Sequence, residues 1–374
     1  MTYGIVNADQ IGTSVANTSL GAGNASIMKN RIINGAMVID QRNAGASVTP
    51  TNNQFLVDRW IAFLTQASKY TVQQNAGSVT PPVGFSNYLG VTSSSAYSVV
   101  SSDYFALTQK IEGFNTYDLA WGTANAKTVT LSFWVYSSLT GTFGGSIINS
   151  AGNRAYPFTY TVSSANTWTQ ASVTIAGDTT GTWVGATNGI GLTVNFGLGV
   201  GSTYSASAGS WGSGSFIFSA TGATSVVGTN GATFYITGVQ LEVGSSATGF
   251  EYRQYGTELA LCQRYYWKIT SVDDGGSTRY VCWGSGSAYS STQADICIPL
   301  KVDMRVAPTV SYGGNIYLQG SFGSTTVSSI GTNYGGRQLV FVRFNTSGMT
   351  AGQGLITFTG SAAGTDFLAG SAEL

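Results

Sequence analysis

The sequence predicts an all-β fold, and its composition and residue patterns agree on this. There are 50 glycines among 374 residues, aromatic side chains make up 12% and charged side chains only 9%, whereas a typical soluble protein has about 25% charged residues. Short runs rich in Val, Ile, Thr and aromatic residues are separated by Gly, Ser and Asn, as in short strands joined by tight turns. The length allows two domains with a sizeable core.

Several segments show the period-two alternation of a strand with one buried face. The pattern is clear in TVTLSFWVY (128–136) and WTQASVTI (168–175), and it is strongest in GIGLTVNFGLGV (189–200). In that last segment every second residue from Ile190 to Val200 is apolar, so we expect this face to be buried. The opposite face carries only Gly, Thr and Asn, and we expect it to be nearly bare. RIINGAMVIDQRN (31–43) also predicts a strand, interrupted by a turn or bulge.

The strand patterns fall into two groups, and this predicts two β domains. Residues 1–27 are small and polar and predict an N-terminal arm, residues 28–253 predict a two-sheet sandwich, and residues 269–374 predict a second, smaller β-sandwich. No fixed-period repeat is visible, which argues against a solenoid.

One short helix is predicted between the two sandwiches, at residues 254–268. In ELALCQRYYWK (258–268), Leu259, Cys262 and Tyr266 stand at positions i, i+3 and i+7. This spacing places them on one apolar stripe of a helix.

The charge balance limits the partners. The formal net charge is zero, so the chain has no basic surface for nucleic acid or an anionic membrane. No export signal and no run of 18 apolar residues is visible, so we expect no membrane insertion. A surface with so few charges suits a neutral partner, such as a glycan or a repeated protein lattice, or no partner at all.

The sequence has no histidine, and this argues against an enzyme. Without imidazole there is no Ser-His-Asp or Cys-His arrangement and no histidine metal ligand. Glycoside hydrolysis needs only two carboxylates, but the acidic residues are scattered, and we predict no catalytic residue.

The cysteines predict neither a disulfide framework nor a metal site. Cys262, Cys282 and Cys297 are odd in number and lack CxxC spacing. We expect them to be small, buried or half-buried hydrophobic residues of a protein made in a reducing compartment.

Eight segments of residues 28–374 follow one another in a specific order. They are KNRIINGAMVIDQRNAG, LVDRW, FALTQKIEGF, TVTLSFWVYSS, PFTYTVSSANTWTQ, FYITGVQLEVG, FEYRQYGTELALCQRYYWK and PLKVDMRVAPTVS. This order resembles tail-fibre-type virion proteins of tailed bacteriophages and their prophage copies. It implies that residues 28–253 form a jelly roll related to carbohydrate-binding modules. It also implies a homotrimer on the virion surface, made in the host cytoplasm and joined to other virion proteins through residues 1–27.

The function implied by the resemblance is host attachment as a tail fibre or similar appendage, by binding a bacterial cell-surface glycan. A structural capsid-decoration or tail-adaptor protein without glycan binding is the alternative, and a glycan depolymerase is the third. A trimer also agrees with strands such as 189–200, which lack the Lys and Pro that protect exposed edges.

We predict no cofactor. Many carbohydrate-binding jelly rolls have a pair of acids, one of them a calcium ligand, where this chain has Thr237 and Gly238. A structural calcium would therefore need backbone carbonyls and another acid. Trp168 matches a tryptophan that opens a strand in such modules, so we interpret it as structural.

The candidate glycan-binding residues are Tyr204, Trp211 and Trp183. The first two stand in GSTYSASAGSWGSGSF (201–216), a long glycine-rich loop of the kind that is often functional. Sugar rings stack on exposed aromatic planes, and Trp183 in the preceding turn would extend the platform. In the alternative interpretation these rings plug the end of the sandwich or contact a neighbouring subunit.

Overall fold

A computed structural model describes residues 28–270, 281–321, 323–359 and 366–374 of the chain. The arm predicted at residues 1–27 lies outside the described residues. The chain divides into two compact units between Gln254 and Tyr255.

The first unit contains strands β1 to β13. Their bounds are β1 (Gln54–Phe55), β2 (Ile61–Leu64), β3 (Tyr70–Gln74), β4 (Leu89–Ser93), β5 (Tyr104–Glu112), β6 (Val129–Ser137), β7 (Gly141–Asn149), β8 (Ala155–Val162), β9 (Thr169–Ile175), β10 (Ile190–Val200), β11 (Ser205–Ala206), β12 (Ser219–Ala220) and β13 (Thr233–Val243).

Two antiparallel sheets form a jelly-roll sandwich in the first unit. The six-stranded sheet has the order β1-β2-β5-β10-β7-β8, and the five-stranded sheet has the order β3-β4-β13-β6-β9. One continuous hydrophobic core lies between them, fed by alternate residues such as Phe133 of β6 and Phe196 of β10, whose rings lie 4.9 Å apart. The predicted inward faces of 128–136 and 189–200 therefore form this core.

The segment Arg31–Asn43 is not a strand, so this prediction was wrong. Its backbone is irregular, with left-handed Asn34 (φ 58°) and Met37 (φ 57°). The buried side chain of Asn34 takes the place of strand pairing, because its amide donates to the carbonyls of Ile39 (2.8 Å) and Asp58 (3.0 Å) and accepts from the Ile39 N–H. Ile32 and Met37 of this segment fill the core from a loop.

The second unit begins with a short helix, α1 (Tyr255–Gln263), which is the only α-helix in the described part of the chain. The predicted helix extends to residue 268, whereas in the structure the first strand of this unit already begins at Tyr266. No helix among the described residues has the length and apolar character needed to cross a membrane.

Strands β14 to β23 follow α1. Their bounds are β14 (Tyr266–Thr270), β15 (Val281–Ala288), β16 (Gln293–Pro299), β17 (Thr309–Gly313), β18 (Ile316–Gly320), β19 (Gly323–Thr326), β20 (Ser329–Gly335), β21 (Leu339–Asn345), β22 (Gly354–Thr359) and β23 (Phe367–Ser371).

These strands form a second, smaller sandwich. A three-stranded sheet, β14-β23-β17, packs on a seven-stranded sheet, β19-β18-β22-β15-β16-β21-β20, around their own hydrophobic core. The predicted fold class is confirmed: an all-β chain with a jelly roll, one short helix and a smaller β-sandwich.

The cysteine prediction holds for only one residue of three. Cys262 is buried, but Cys282 and Cys297 are exposed, and all three thiols are free. Cys297 alternates with Ile296 and Ile298 along β16, so it faces solvent because its neighbours face the core.

Candidate functional site

The glycine-rich loop after β10 lies across the outer face of the six-stranded sheet. Strands β11 and β12 pair in parallel there, and the hydroxyl of Ser146 on β7 donates to the Ile217 carbonyl at 2.6 Å. A Cβ on Gly197 of β10 would lie 2.6 Å from the Ser219 hydroxyl oxygen. The prediction that this face of β10 is bare was therefore wrong. The small residues are there because another part of the chain packs directly on the strand.

The loop turns back along β10, so that Trp211 lies in a group of aromatic rings near Ile190. Trp211 contacts Trp121, Trp183 and Tyr156, with ring centroids 5.2, 5.4 and 5.4 Å apart. Trp121 and Trp183 contact each other edge to face at 4.8 Å, a favoured geometry for aromatic pairs. These four residues are called the tryptophan cluster below.

Each indole of the tryptophan cluster donates a hydrogen bond from its Nε1. Trp211 donates to the Ala176 carbonyl at 2.7 Å and Trp121 to the Lys127 carbonyl at 2.8 Å. Trp183 makes longer contacts of 3.3 Å with a carboxylate oxygen of Asp178 and with the Thr180 carbonyl. The rings are therefore fixed in orientation by the loops around them.

Asp178 forms an ion pair with Arg154 at this end of the jelly roll. Its buried carboxylate accepts two hydrogen bonds from the Arg154 guanidinium, at 2.7 and 2.8 Å. Burial opposes ionisation of Asp178, but the hydrogen bonds from Arg154 and Thr180 outweigh it and hold the pKa of the carboxyl below its usual value. The same contact raises the pKa of Arg154.

Beside the tryptophan cluster is a recess of about 160 Å³. Its inner wall consists of buried residues and its mouth of half-buried or exposed ones. The wall is formed by Thr116, Leu119, Trp121, Gly191 and Leu192, and the mouth by Tyr117, Ala120, Thr123, Trp183, Val184 and Gly185. None of these side chains is charged.

The recess forms where the loop after β5 meets the loop before β10. The Gly113 N–H donates to the Gly189 carbonyl at 2.8 Å, and the Phe114 N–H to the Thr187 carbonyl at 2.9 Å. A Cβ on Gly191 would lie 2.0 Å from the Thr116 hydroxyl oxygen, so only glycine permits this approach. At Gly185, in contrast, a Cβ would have no atom within 4 Å except those of Gly185 and its two chain neighbours.

The structure brings together two of the three predicted site residues. Trp183 and Trp211 are in contact, and Trp183 lines the recess. Tyr204 lies at the other end of β10, where it packs edge to face on Tyr104 at 5.1 Å. Because β10 has 11 residues, its ends lie roughly 30 Å apart. Tyr204 therefore cannot share a single-sugar site with the two tryptophans.

Two residues of the recess, Tyr117 and Trp121, were missed by sequence reasoning. They stand four residues apart in TYDLAW (116–121), between two clear strands, and Tyr117 is 56% exposed. An aromatic pair in a loop was the available signal, but nothing in the sequence shows which loops meet in space. Trp168 is half-buried against Tyr88 and donates to the Thr80 carbonyl, in agreement with a structural role.

Two uncharged residues stand where many carbohydrate-binding jelly rolls have a pair of acids. Thr237 is buried and its hydroxyl donates to the Asn87 carbonyl at 2.7 Å, while Gly238 adopts φ 60° in a β-bulge. In the described residues no group of three or more His, Cys, Asp or Glu side chains could hold a metal ion.

A second cavity lies in the C-terminal sandwich, beside Trp267, Ile298 and Lys301. Its volume is about 40 Å³, enough for a few water molecules at most. The recess of the first unit is the larger of the two and the one with an exposed aromatic ring at its mouth.

No protein-family model matches the chain, and no curated protein matches it. Among solved structures, the chain is similar to the enzymatically active domain of tailspike protein 4 from bacteriophage CBA120, with 15% identity and a TM-score of 0.32 over 58% of this chain and 22% of that chain. It is similar to a family 11 carbohydrate-binding module from Clostridium thermocellum in complex with a mixed-linked tetrasaccharide, with 11% identity and a TM-score of 0.28 over 54% of this chain and 98% of that one. A family 22 xylan-binding domain from Paenibacillus barcinonensis has 11% identity and a TM-score of 0.25 over 55% of this chain and 99% of that chain. Because the identities are low, the recess has to be interpreted from its own residues.

The chemistry available in the recess is that of binding a neutral ring. Its lining includes two indoles, a phenol, the half-buried Val184 and the threonines Thr116 and Thr123. Its volume is close to that of a cavity that accepts one six-membered ring. The lining contains neither an acid nor a base.

Proposed function

We propose that this chain is a virion surface protein that attaches to its host by binding a bacterial cell-surface glycan, and that the recess beside the tryptophan cluster is the glycan site. The observation that carries the proposal is the uncharged recess of about 160 Å³ with Tyr117 and Trp183 at its mouth. Pockets with apolar aromatic walls and a few fixed polar groups are typical of small-ligand sites. The virion location is supported by the order of sequence segments described above.

The recess suits a sugar because of the way its aromatic rings are arranged. Trp183 is held by its indole hydrogen bonds and by contact with two other tryptophans, so binding would cost little side-chain entropy. Tyr117 is exposed beside it, and its hydroxyl makes no hydrogen bond within the described part of the chain. One ring can therefore stack on a sugar face while the other contributes a hydroxyl.

Two substitutions test the site without removing a buried residue. Tyr117→Ala takes away the exposed ring, and Gly185→Leu adds a side chain at the mouth, where no atom beyond the two chain neighbours of Gly185 lies within 4 Å of the new Cβ. We expect both to weaken binding to an array of bacterial surface glycans at least tenfold, with unchanged thermal unfolding. Tyr255→Ala, which removes a tyrosine that is 64% exposed outside the recess, is the matched control.

Undiminished glycan binding by Tyr117→Ala and Gly185→Leu would remove the recess from the proposal. Failure of the intact chain to bind both host cells and the glycan array would contradict glycan attachment as a whole. A glycan depolymerase would release new reducing ends from the bound polysaccharide, which a reducing-sugar assay measures directly.

A second function, as a structural virion protein, is favoured by one surface of the C-terminal sandwich. The register of adjacent strands places four apolar residues and one serine in one row on the outer face of the seven-stranded sheet, in the order Ile356, Ser285, Cys297, Phe341 and Tyr334. Ile356 is 43% exposed and Tyr334 is 58% exposed. Exposed apolar rows of this kind occur at protein contacts.

A homotrimer remains part of the proposal, and this row offers a way to test it. We expect light scattering of the intact chain to give three times the mass of one chain. If the row is a subunit contact, Ile356→Lys reduces the mass to that of a monomer, and if it is not, the trimer is unchanged. A monomer of the wild-type chain at micromolar concentration would contradict the trimer.

A further inference from the structure

The chain enters and leaves the jelly roll through two neighbouring segments. Segment 28–32, at which the described part of the chain begins, contacts segment 248–253, which leads to α1. These contacts join residues that are 219 to 223 positions apart in the sequence. The two segments are called the entry–exit clamp below.

Glu251 and Arg253 hold the backbone of the entering segment. One carboxylate oxygen of Glu251 accepts from the Met28 N–H, and the other accepts from the Asn30 N–H at 2.7 Å. The Arg253 guanidinium donates to the carbonyls of Asn30 and Ile32, to the latter at 3.1 Å. It also pairs with Glu251 at 3.4 Å, and the two side chains are only 6% and 11% exposed. Water therefore competes little for these hydrogen bonds.

Lys29 adds a second buried group of contacts to the clamp. Its ammonium donates to the Thr248 hydroxyl and to the Gly249 carbonyl, the latter at 2.7 Å, and lies 3.8 Å from the Glu242 carboxylate. That carboxylate is buried and also accepts from the hydroxyl and the N–H of Thr248, at 2.6 and 2.8 Å. Loss of one member would leave a buried charge without its partner, which is strongly unfavourable.

The two segments of the clamp run in the same direction. The backbone contacts, in order along the chain, are Lys29 with Gly249, Asn30 with Glu251 and Ile32 with Arg253, and the Glu251 side chain also reaches back to Met28. The chain therefore enters at one end of the clamp and leaves at the other. A pull between residues 28 and 254 would load these bonds together in shear, whereas antiparallel segments would separate one bond at a time.

Arg31 joins the clamp to the loop that lines the recess. Its guanidinium donates to both carboxylate oxygens of Asp118, at 3.0 and 2.7 Å, and to the Asn115 carbonyl at 3.0 Å. Asp118 stands between Tyr117 and Leu119, which both line the recess. If segment 28–32 moved under a pull, Arg31 would pass the movement to this loop.

We propose that the entry–exit clamp transmits tension between the chain before residue 28 and the C-terminal unit, so that the jelly roll and its recess keep their shape under load. The clamp connects the two points of attachment directly, and the chain between residues 33 and 247 lies outside the path of the force. This device serves an attachment protein whatever the recess binds.

Force spectroscopy of single intact chains, held by tags at the two termini, measures the clamp. Opening of the jelly roll releases segment 33–247, roughly 700–770 Å when extended, and opening of the C-terminal unit releases about 400 Å. The step length therefore identifies the unit that opens. We expect the jelly roll to open in one full step, because no part of it is loaded until the clamp breaks. Partial extension of the jelly roll before that step would overturn the proposal.

Glu251→Gln and Asp178→Asn are matched variants, since each removes a carboxylate that accepts at least two hydrogen bonds. At a fixed force, we expect Glu251→Gln to raise the rate of the jelly-roll step roughly tenfold or more, because charge-assisted hydrogen bonds of the clamp are weakened. Asp178→Asn should change this rate by less than about twofold, because an interaction that is still intact in the transition state does not alter the unfolding rate.

Urea unfolding of both variants shows that the difference does not come from stability alone, since both should unfold at lower urea concentration than the wild type. Equal changes in the rate under force, or no change for Glu251→Gln, would overturn the proposal. If Glu251→Gln gives no cooperative urea transition, Lys29→Met tests the same clamp with the same expected rise in rate. The glycan array tests the proposed function separately.

Discussion

The two ends of strand β10 both carry aromatic clusters, yet they are built differently. Near Ile190, the tryptophan cluster stands beside a recess whose mouth includes the exposed Tyr117. Near Val200, Tyr204 packs on Tyr104 and Phe218, with ring centroids 5.1 and 6.0 Å away, and none of these residues lines the recess. Aromatic residues at the end of a sandwich are therefore a poor sign of a site by themselves.

The difference lies in the backbone between the rings. At the recess end, glycines let two loops approach closely: a Cβ on Gly191 would lie 2.0 Å from the Thr116 hydroxyl oxygen. The recess lies beside this close approach. The loops are joined by backbone hydrogen bonds from Gly113 and Phe114. The recess thus depends on glycine positions as much as on the tryptophans.

Replacement of Trp121 should have the largest effect on the recess end. Trp121→Ala removes a buried ring that contacts both other indoles, and such truncations cost about 3–5 kcal/mol of unfolding free energy. Urea unfolding of the intact chain, followed by intrinsic fluorescence and circular dichroism, measures the loss. A cost below about 1 kcal/mol would mean that the tryptophan cluster is not a packing unit.

The ion pair behind the cluster should make the stability of this end depend on pH. Asp178→Asn removes a carboxylate bonded twice to Arg154, and charge-assisted hydrogen bonds contribute about 1.5–3 kcal/mol. The folded-state pKa of Asp178 lies below the unfolded value of about 3.9. The wild-type advantage over Asp178→Asn is therefore complete above roughly pH 4 and disappears as the pH falls through the lowered folded pKa.

The measurement is the difference in unfolding free energy between wild type and Asp178→Asn from pH 7 to pH 2. A difference that stays constant over this range would show that the carboxylate does not act through its charge. Arg154→Met is the companion variant, because it removes the other partner of the same pair.

Sequence reasoning identified the fold class because strands with one buried face leave a strong pattern. In 189–200, the residues Leu192 to Leu198 that alternate in the sequence are the ones buried in the core. The same pattern did not predict that Ser219 packs on the outer face of Gly197. A glycine on a strand is compatible both with an uncovered face and with a closely packed one. The prediction of a strand at 31–43 was wrong because the side chain of Asn34 makes the hydrogen bonds to the Ile39 backbone that a neighbouring strand would otherwise make.

The candidate site was predicted only in part for a related reason. Trp183 and Trp211 are 28 positions apart in the chain and meet because the loop after β10 turns back along the sheet. Tyr204, only seven positions before Trp211, remains at the opposite end. Proximity in the sequence favoured the wrong partner, and the strand length that separates the two ends becomes decisive only once the loop path is known.

Two glycine substitutions compare Gly191, where the loops approach closely, with Gly185, at the open mouth of the recess. Gly191→Ala puts a Cβ against the Thr116 hydroxyl, and overpacking of this kind costs about 1–3 kcal/mol. Gly185→Ala puts a Cβ into open space, and we expect a change within about 0.5 kcal/mol. Thermal unfolding of both variants is the measurement, and equal effects would contradict the role assigned to Gly191.

Substitutions at Tyr204 and Tyr117 distinguish the two ends most sharply. Tyr204→Ala removes a half-buried ring packed on Tyr104, so we expect a loss of about 1 kcal/mol in unfolding free energy. It should leave glycan affinity unchanged, because Tyr204 lies roughly 30 Å from the recess along the 11 residues of β10. Tyr117→Ala should do the reverse, with a stability change within about 0.5 kcal/mol and at least a tenfold loss of glycan affinity.

Both variants are measured by urea unfolding and by titration with the glycan that the array identifies. We expect one variant to lose stability and keep its glycan affinity, and the other to lose glycan affinity and keep its stability. A general loss of folding would not give this combination. If Tyr204→Ala abolished glycan binding while Tyr117→Ala left it intact, the glycan site would belong to the Val200 end of β10, and the tryptophan cluster would be a structural plug of the jelly roll.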